Sequence, residues 1–175
     1  LWSAISLPFI LQNGYDAYAE LLAGAHEMDQ HFQTAPLMAN MPVWLATLEA
    51  WYNHYFNWNN RAVITYCNPM EPFPQYLQQL DMESLGKRAN RAGKPLTKPS
   101  GIIVWGGTGT EAQHAFFQLI HQGQRHIPID FVTVKTPPKG YEDAQRIIHG
   151  HCTAQAEALM RGRDESDLQN IPVDE

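Results

Sequence analysis

Cysteine is nearly absent: Cys67 and Cys152 are the only two in 175 residues. They are too few for a disulfide framework and lack metal-ligand spacing, so a reduced, cytoplasmic setting is the expectation. Long hydrophobic runs are missing too. The apolar stretches at 7–11 and 41–46 are broken or bounded by Pro, Asn or Glu, far short of the ~20 residues that a membrane-spanning helix requires. Positive charge is scarce, with 12 Lys and Arg against 18 Asp and Glu and a formal charge of -6. That balance argues against a nucleic-acid partner, which needs clustered cations to displace phosphate counterions. The first residues, LWSAISLPFI, have neither Met nor a basic leader, and the last, RGRDESDLQNIPVDE, are polar. On that ground the sequence is expected to be a segment of a longer polypeptide, with 162–175 as a polar tail.

What is present is enough apolar residue, 44%, for one globular domain with a sizeable core. Residues 1–12 and 15–33 carry helical spacing, with a hinge at Asn13-Gly14. A third helix is expected from Thr34-Ala35-Pro36 through Trp58, ended or kinked in its first turns by Pro42. The run 62–67, AVITYC, is an unbroken β-branched and aromatic segment, the pattern of a strand buried on both faces. Helical YLQQLDMESLGKRA follows, then strands at 101–105 and 127–134 separated by a helix at 111–122, and a closing helix at 142–161. Strands alternating with helices imply a Rossmann-like α/β three-layer sandwich, a parallel sheet flanked by helices. The basic stretch KRANRAGKPLTKPSG and the stretch KTPPKGYED are the expected exposed loops.

Three stretches are candidates for chemistry. In VWGGTGTEAQHAF (104–116), Gly107, Gly109 and Ala112 fit the G-x-G-x-x-A dinucleotide fingerprint, with a strand before and a helix after. Asp130 stands 18 positions after Ala112, close to where a ribose-binding acid belongs, but inside IPIDFVTV and not at its end. The turn can equally be a structural strand-to-helix connection. The second stretch, HEMDQH, has His26 and His31 five apart, whereas zinc-protease histidines stand four apart on one helical face. No metal site is expected there, and an apolar stripe through Leu22, Ala25 and Met28 accounts for it. The third, QQLDMESLGK (78–87), is by itself a helix with a solvated charged face. Paired with the glycine turn it offers a carboxylate and an imidazole as general base and acid, provided both lie beside the C-terminal ends of the strands, where ligands collect.

The stretches LWSAISLP, LLAGAHEMDQHF, YLQQLDMESLGK, VWGGTGTEAQHAFFQLIHQG, IPIDF and AQAEALMRG, in this order, resemble the glucose-6-phosphate isomerase (phosphoglucose isomerase) family over nearly the whole chain. The resemblance implies a homodimer with two sugar-isomerase (SIS) domains per chain. Such an enzyme interconverts glucose 6-phosphate and fructose 6-phosphate without cofactor or metal. This sequence corresponds to the second SIS domain. The first domain's Ser/Thr-rich phosphate loops, the arginine of a GGRFS stretch preceding LWS, and a C-terminal catalytic lysine lie outside it, so the segment alone is expected to be inactive. By the same resemblance Glu83 is the base that moves a proton between C1 and C2 through a cis-enediolate. His114 assists ring opening, reaching into the neighbouring subunit's site, and Gln79 contacts substrate. Departures from the family pattern are Leu85 in place of Asn, Glu111-Ala112 in place of Asn-Gly, and Gly107 where many members have Glu. The alternative from another class is a SIS module that binds a sugar phosphate or a partner protein without turnover.

Overall fold

The computed structural model describes residues 2–137 and 139–164; most of the expected polar tail therefore lies outside the described residues. The chain divides into two compact units, Leu1–Tyr52 and Asn53–Glu175. The first is helical: α1 (Leu7–Asn13), α2 (Tyr15–Thr34) and most of α3 (Met41–Tyr55). Gly14, at φ 87°, turns the chain between α1 and α2, and its N–H closes on the Ile10 carbonyl at 2.8 Å. This is the hinge expected at Asn13-Gly14.

The third helix begins later than expected. A 3-10 turn occupies Leu37–Ala39 and α3 starts at Met41, so Pro42 sits in the first turn, where a missing N–H costs nothing. Buried Asn40 organises that start. Its Nδ2 donates to the Phe32 carbonyl at 2.8 Å and its Oδ1 accepts from Val43 N–H at 3.3 Å. His31 contributes as well, its Nε2 accepting from Met41 N–H at 3.1 Å.

The second unit holds a three-stranded parallel sheet in the order β2-β1-β3, with β1 (Asn60–Thr65) in the centre, β2 (Ile103–Thr108) and β3 (Ile129–Val132). Ala62, Val63 and Ile64 are fully buried, as the AVITYC run implies. Period-two alternation divides the core. Ala62, Ile64 and Tyr66 pack with Ala112, Phe117 and Cys152 on one face, while Val63 packs with Ile102, Val104, Phe73 and Leu77 on the other. The first face is covered by α5 (Gly109–Ala115), α6 (Phe117–Gln122) and α7 (Glu142–Arg161), the second by α4 (Phe73–Gln78). The result is the expected three-layer α/β sandwich with a parallel sheet. Each fully buried aliphatic side chain contributes about 1.5–3 kcal/mol, so the central strand is the densest source of stability in this unit.

Strand and helix ends depart from the sequence reading for local reasons. Gly101 takes φ 73°, a left-handed conformation, and β2 starts two residues after it. The helix expected at 111–122 divides at Phe116, which leaves helical geometry at φ -147° and ψ 1°. Its ring packs edge-on against Trp105 at 4.9 Å while Phe117 turns into the core. Beyond α4 the chain makes a π-turn at Gln79–Glu83 and leaves helical geometry before 89, the end first expected.

Two adjacent glycines in β2 have opposite requirements. A Cβ on Gly106, at φ 149°, would lie 1.9 Å from the Val63 carbonyl oxygen of β1, whereas one on Gly107 would meet nothing within 4 Å. We expect Gly106→Ala to destabilise the fold by at least about 3 kcal/mol through backbone clash and strain. Gly107→Ala is neutral or stabilises by up to about 1 kcal/mol. Urea denaturation of the two variants checks the contrast, and equal losses would show that the register of β1 and β2 is wrong.

Candidate active site

Glu83 and Gln79 lie on the π-turn that extends α4. Ser84 N–H bonds the Gln79 carbonyl five residues back at 3.3 Å, the π-type bond that is enriched at functional sites. The turn is fastened to the start of the sheet. Arg61, second residue of β1, donates from Nη2 to Asp81 Oδ2 at 2.8 Å, both side chains 16% exposed, and its Nε stands 3.4 Å from Asp130 Oδ2. Gln78 Nε2 donates to the Val104 carbonyl at 3.0 Å.

The far side of the turn is held by the approach to β2. A Cβ on Gly101, at φ 73°, would press on Asp81 O and Gly86 N, each at 3.2 Å, so a side chain there is both crowded and strained. Ser100 Oγ lies 2.6 Å from the Leu85 carbonyl and 2.8 Å from that of Lys87, and accepts from Lys87 N–H at 3.2 Å. The Lys87 ammonium donates to the Glu83 carbonyl. Glu83 and Gln79 side chains are exposed. Leu85, the departure from the family's Asn, is also exposed, at 48%, and does not fill a pocket.

His114 stands in the last turn of α5, which leaves the C-terminal end of β2. The turn is organised by Tyr66, buried one residue past β1. A Cβ on Gly109 would lie 2.2 Å from the Tyr66 ring, and Gln113 Nε2 reaches the Tyr66 hydroxyl at 3.4 Å. The Tyr66 carbonyl accepts from Gln145 Nε2 of α7 at 2.7 Å. Burial pushes the Tyr66 phenol above its usual value, opposed by the Gln113 hydrogen bond. Ala112, in place of the family's Gly, is 3% exposed and packs in the core, so its methyl fills space beside Ile64 and Tyr66. The His114 side chain itself is exposed.

These positions correct one expectation. The Glu83 turn is tied to the N-terminal ends of β1 and β2 and follows α4, while His114 is carried by α5 on the other face of the sheet. The two segments are thus carried by helices on opposite faces of the sheet. The reason is topological: α4 and α5 leave successive strands of one parallel sheet toward opposite faces. Gly109 is required by the Tyr66 ring beneath it, which gives the glycine motif a structural cause. Asp130 lies at the N-terminal half of β3 beside Arg61, not at a strand C-terminus where a ribose would lie. The dinucleotide reading loses its acid. Among the described residues no group of three or more His, Cys, Asp or Glu is disposed to hold a metal.

Sequence reasoning passed over Arg61, Asp81 and Tyr66, which position the candidate residues. The available signal was a lone Arg opening an otherwise apolar strand, a residue that needs a carboxylate when it is drawn into the interior. Two cavities among the described residues are lined by other groups: one of about 340 Å³ by Val134, Lys135, Pro137, Glu142, Gln145, Arg146 and His149, and one of about 560 Å³ beside residues 86–88 and 95–100.

Burial raises the Asp130 carboxyl above its ordinary value; Arg61 opposes the shift and Asp81 adds to it. A raised folded-state value means that folding favours the protonated acid. Its contribution is therefore complete below the unfolded value near 3.8 and declines as pH rises through the raised one. We expect Asp130→Asn to remove this slope, so that the variant gains stability relative to the parent over the pH range just above the ordinary carboxylate value. Denaturation midpoints across that window test it; a parent that gains on the variant with rising pH contradicts it.

The family model described as phosphoglucose isomerase matches residues 1–173. A glucose-6-phosphate isomerase of Chlorobium luteolum is 50% identical over 167 residues, covering 95% of this chain and 30% of the relative. One from Cupriavidus metallidurans is 45% identical over 174 residues, covering 99% of this chain and 32% of the relative. The crystal structure of a glucose-6-phosphate isomerase from Chlamydia trachomatis superimposes with a TM-score of 0.77 at 32% identity, covering 90% of this chain and 32% of that one. The chain spans about a third of the length of the curated relatives it matches. With a family match that runs from its first residue to within two of its last, the chain belongs to the phosphoglucose isomerase family.

Proposed function

We propose that this chain is the portion of a glucose-6-phosphate isomerase that carries the base, acting in the cytoplasm on glucose 6-phosphate and fructose 6-phosphate. The observation that carries the reading is the family match over residues 1–173, joined to a Glu83 turn braced by Arg61, Asp81, Gly101 and Ser100. Abstraction of a proton beside a carbonyl requires a carboxylate held in one geometry, and a backbone fastened at both ends provides it. Glu83 takes the proton from C2 of the open-chain aldose and returns it to C1, through a cis-enediolate. Gln79 orients the sugar. His114 exchanges the proton of the ring oxygen during opening, a task suited to imidazole near neutral pH.

Because Glu83 and His114 lie on opposite faces of one sheet, a complete site takes its histidine from a second subunit. The reading is therefore of a homodimer. No cofactor is called for, since the proton moves between neighbouring carbons. The cation that stabilises the developing oxyanion and the phosphate cradle come from parts of the enzyme outside these residues. The segment alone is inactive on this account.

A second reading, a sugar-phosphate-binding module without turnover, draws on the fact that neither described cavity is lined by Glu83. Steady-state assay of fructose 6-phosphate conversion in a whole enzyme carrying this sequence separates the two. The expected result is turnover that falls roughly 10²–10⁴-fold in Glu83→Gln with the melting temperature unchanged. Binding without turnover in the parent supports the module; unaltered turnover in the variant removes Glu83 as the base.

A further inference from the structure

The longest carboxylate-free stretch in this region of the sequence is also its most cationic. From Ser84 to Thr110 there is no Asp or Glu, and Lys87, Arg88, Arg91, Lys94 and Lys98 fall within it. Elsewhere the chain sets seven cations against 18 carboxylates. A net negative protein has thus gathered five of its 12 cations into a span of 12 residues.

The span is an ordered hairpin. Ala89 and Pro95 form an antiparallel bridge, and Leu96 N–H bonds the Arg88 carbonyl at 2.9 Å. At the tip, Asn90 Oδ1 accepts from Ala92 N–H at 2.9 Å and Lys94 N–H at 3.1 Å, with Gly93 at φ 73° completing the turn. Two of the cations are engaged: the Lys87 ammonium with the Glu83 carbonyl, and the Lys98 ammonium over the Tyr55 ring, 4.8 Å from its centroid. Arg88, Arg91 and Lys94 are exposed and have no carboxylate partner among the described residues. Beside the hairpin lies the groove of about 560 Å³, which Lys87, Arg88, Lys98, Thr97 and Ser100 help to line.

Unpaired like charges on a fixed hairpin repel one another, and the repulsion is relieved by a bound counter-charge. Guanidinium forks match the geometry of a phosphate, and ammonium groups supply point charge to it. We propose that the groove beside hairpin 86–100 is a phosphate-dianion site, separate from Glu83 and joined to its turn through Lys87. The ligand is inorganic phosphate or the phosphate of a sugar monoester. This proposal deepens the isomerase reading, but its test reads binding alone and does not depend on turnover.

The experiment is titration of the 175-residue chain with inorganic phosphate, and separately with fructose 6-phosphate, at low ionic strength. Backbone amide shifts and calorimetry are the readouts. The expected result is saturable perturbation centred on Arg88, Thr97 and Lys98, which line the groove. Affinity falls at least ten-fold in the Arg88→Gln, Lys98→Gln double variant and survives in Arg88→Lys, with folding checked by circular dichroism. Saturation by both ligands with equal affinity assigns the site to free phosphate chemistry; tighter binding of the ester assigns it to the sugar phosphate. Perturbations scattered equally over Arg125, Arg146 and Arg161, or an unchanged affinity in the double variant, overturn the proposal. Loss of isomerase turnover in Glu83→Gln with phosphate binding intact would leave this site standing.

Discussion

Strand β1 is buried on both faces, with Ala62, Val63 and Ile64 wholly removed from solvent, and among the described strands it alone has a hydrogen-bonded neighbour on each side. Its position constrains everything attached to its ends. Arg61 at the start reaches Asp81 and Asp130, fixing the turn that carries Glu83; Tyr66 just past the finish lies under Gly109 and takes hydrogen bonds from Gln113 and Gln145. A residue slipped by one along this strand would exchange the two faces. Val63 would then meet the α5–α7 layer, and both anchors would lose their partners. The two candidate functional segments are thus set by the register of one six-residue strand.

The anchors differ in physical kind. Tyr66 works by shape, its ring occupying the space that a Cβ on Gly109 would need. Arg61 works by charge, at a site where desolvation offsets much of the Coulombic gain. A largely buried Arg between two aspartates adds little net stability, yet removing one partner of such a pair strands the other. The arrangement is better understood as specifying geometry, because it ties a turn after α4 to the starts of β1 and β3. A hydrophobic contact of similar size would hold the turn close without fixing its orientation.

Much of this was legible in the residues. The AVITYC run announced a doubly buried strand, and the alternation of strands with helices announced a parallel sheet between layers. The long helix from Glu142 to Arg161 was visible at both ends. What was not legible depended on contacts distant in sequence. The split of the 111–122 helix follows from Phe116 meeting Trp105, and the late start of β2 from Gly101 lying beneath the Glu83 turn. The reach of Arg61 to Asp81 spans 20 residues. Glu83 was singled out by pairing its stretch with the glycine turn and given a role only by family resemblance, since an exposed Glu on a helix end carries no periodic or compositional mark.

The substitutions that set this chain apart from its family pattern sort by what surrounds them. Ala112 has acquired a core role, its methyl enclosed with Ile64, Tyr66 and Phe117, so it strengthens the layer that carries His114. Gly107 faces open space; the Glu found there in many members would fit, and its loss removes a carboxylate without leaving a hole. Leu85 is nearly half exposed on the Glu83 turn, where an amide would have offered hydrogen bonds to a ligand. Gly107 and Leu85 therefore change the polarity of surface that a substrate could meet, while the backbone holding Glu83 keeps its anchors at Asp81, Gly101 and Ser100. Fold and surface chemistry vary here on separate residues, which is why the scaffold accepts the departures.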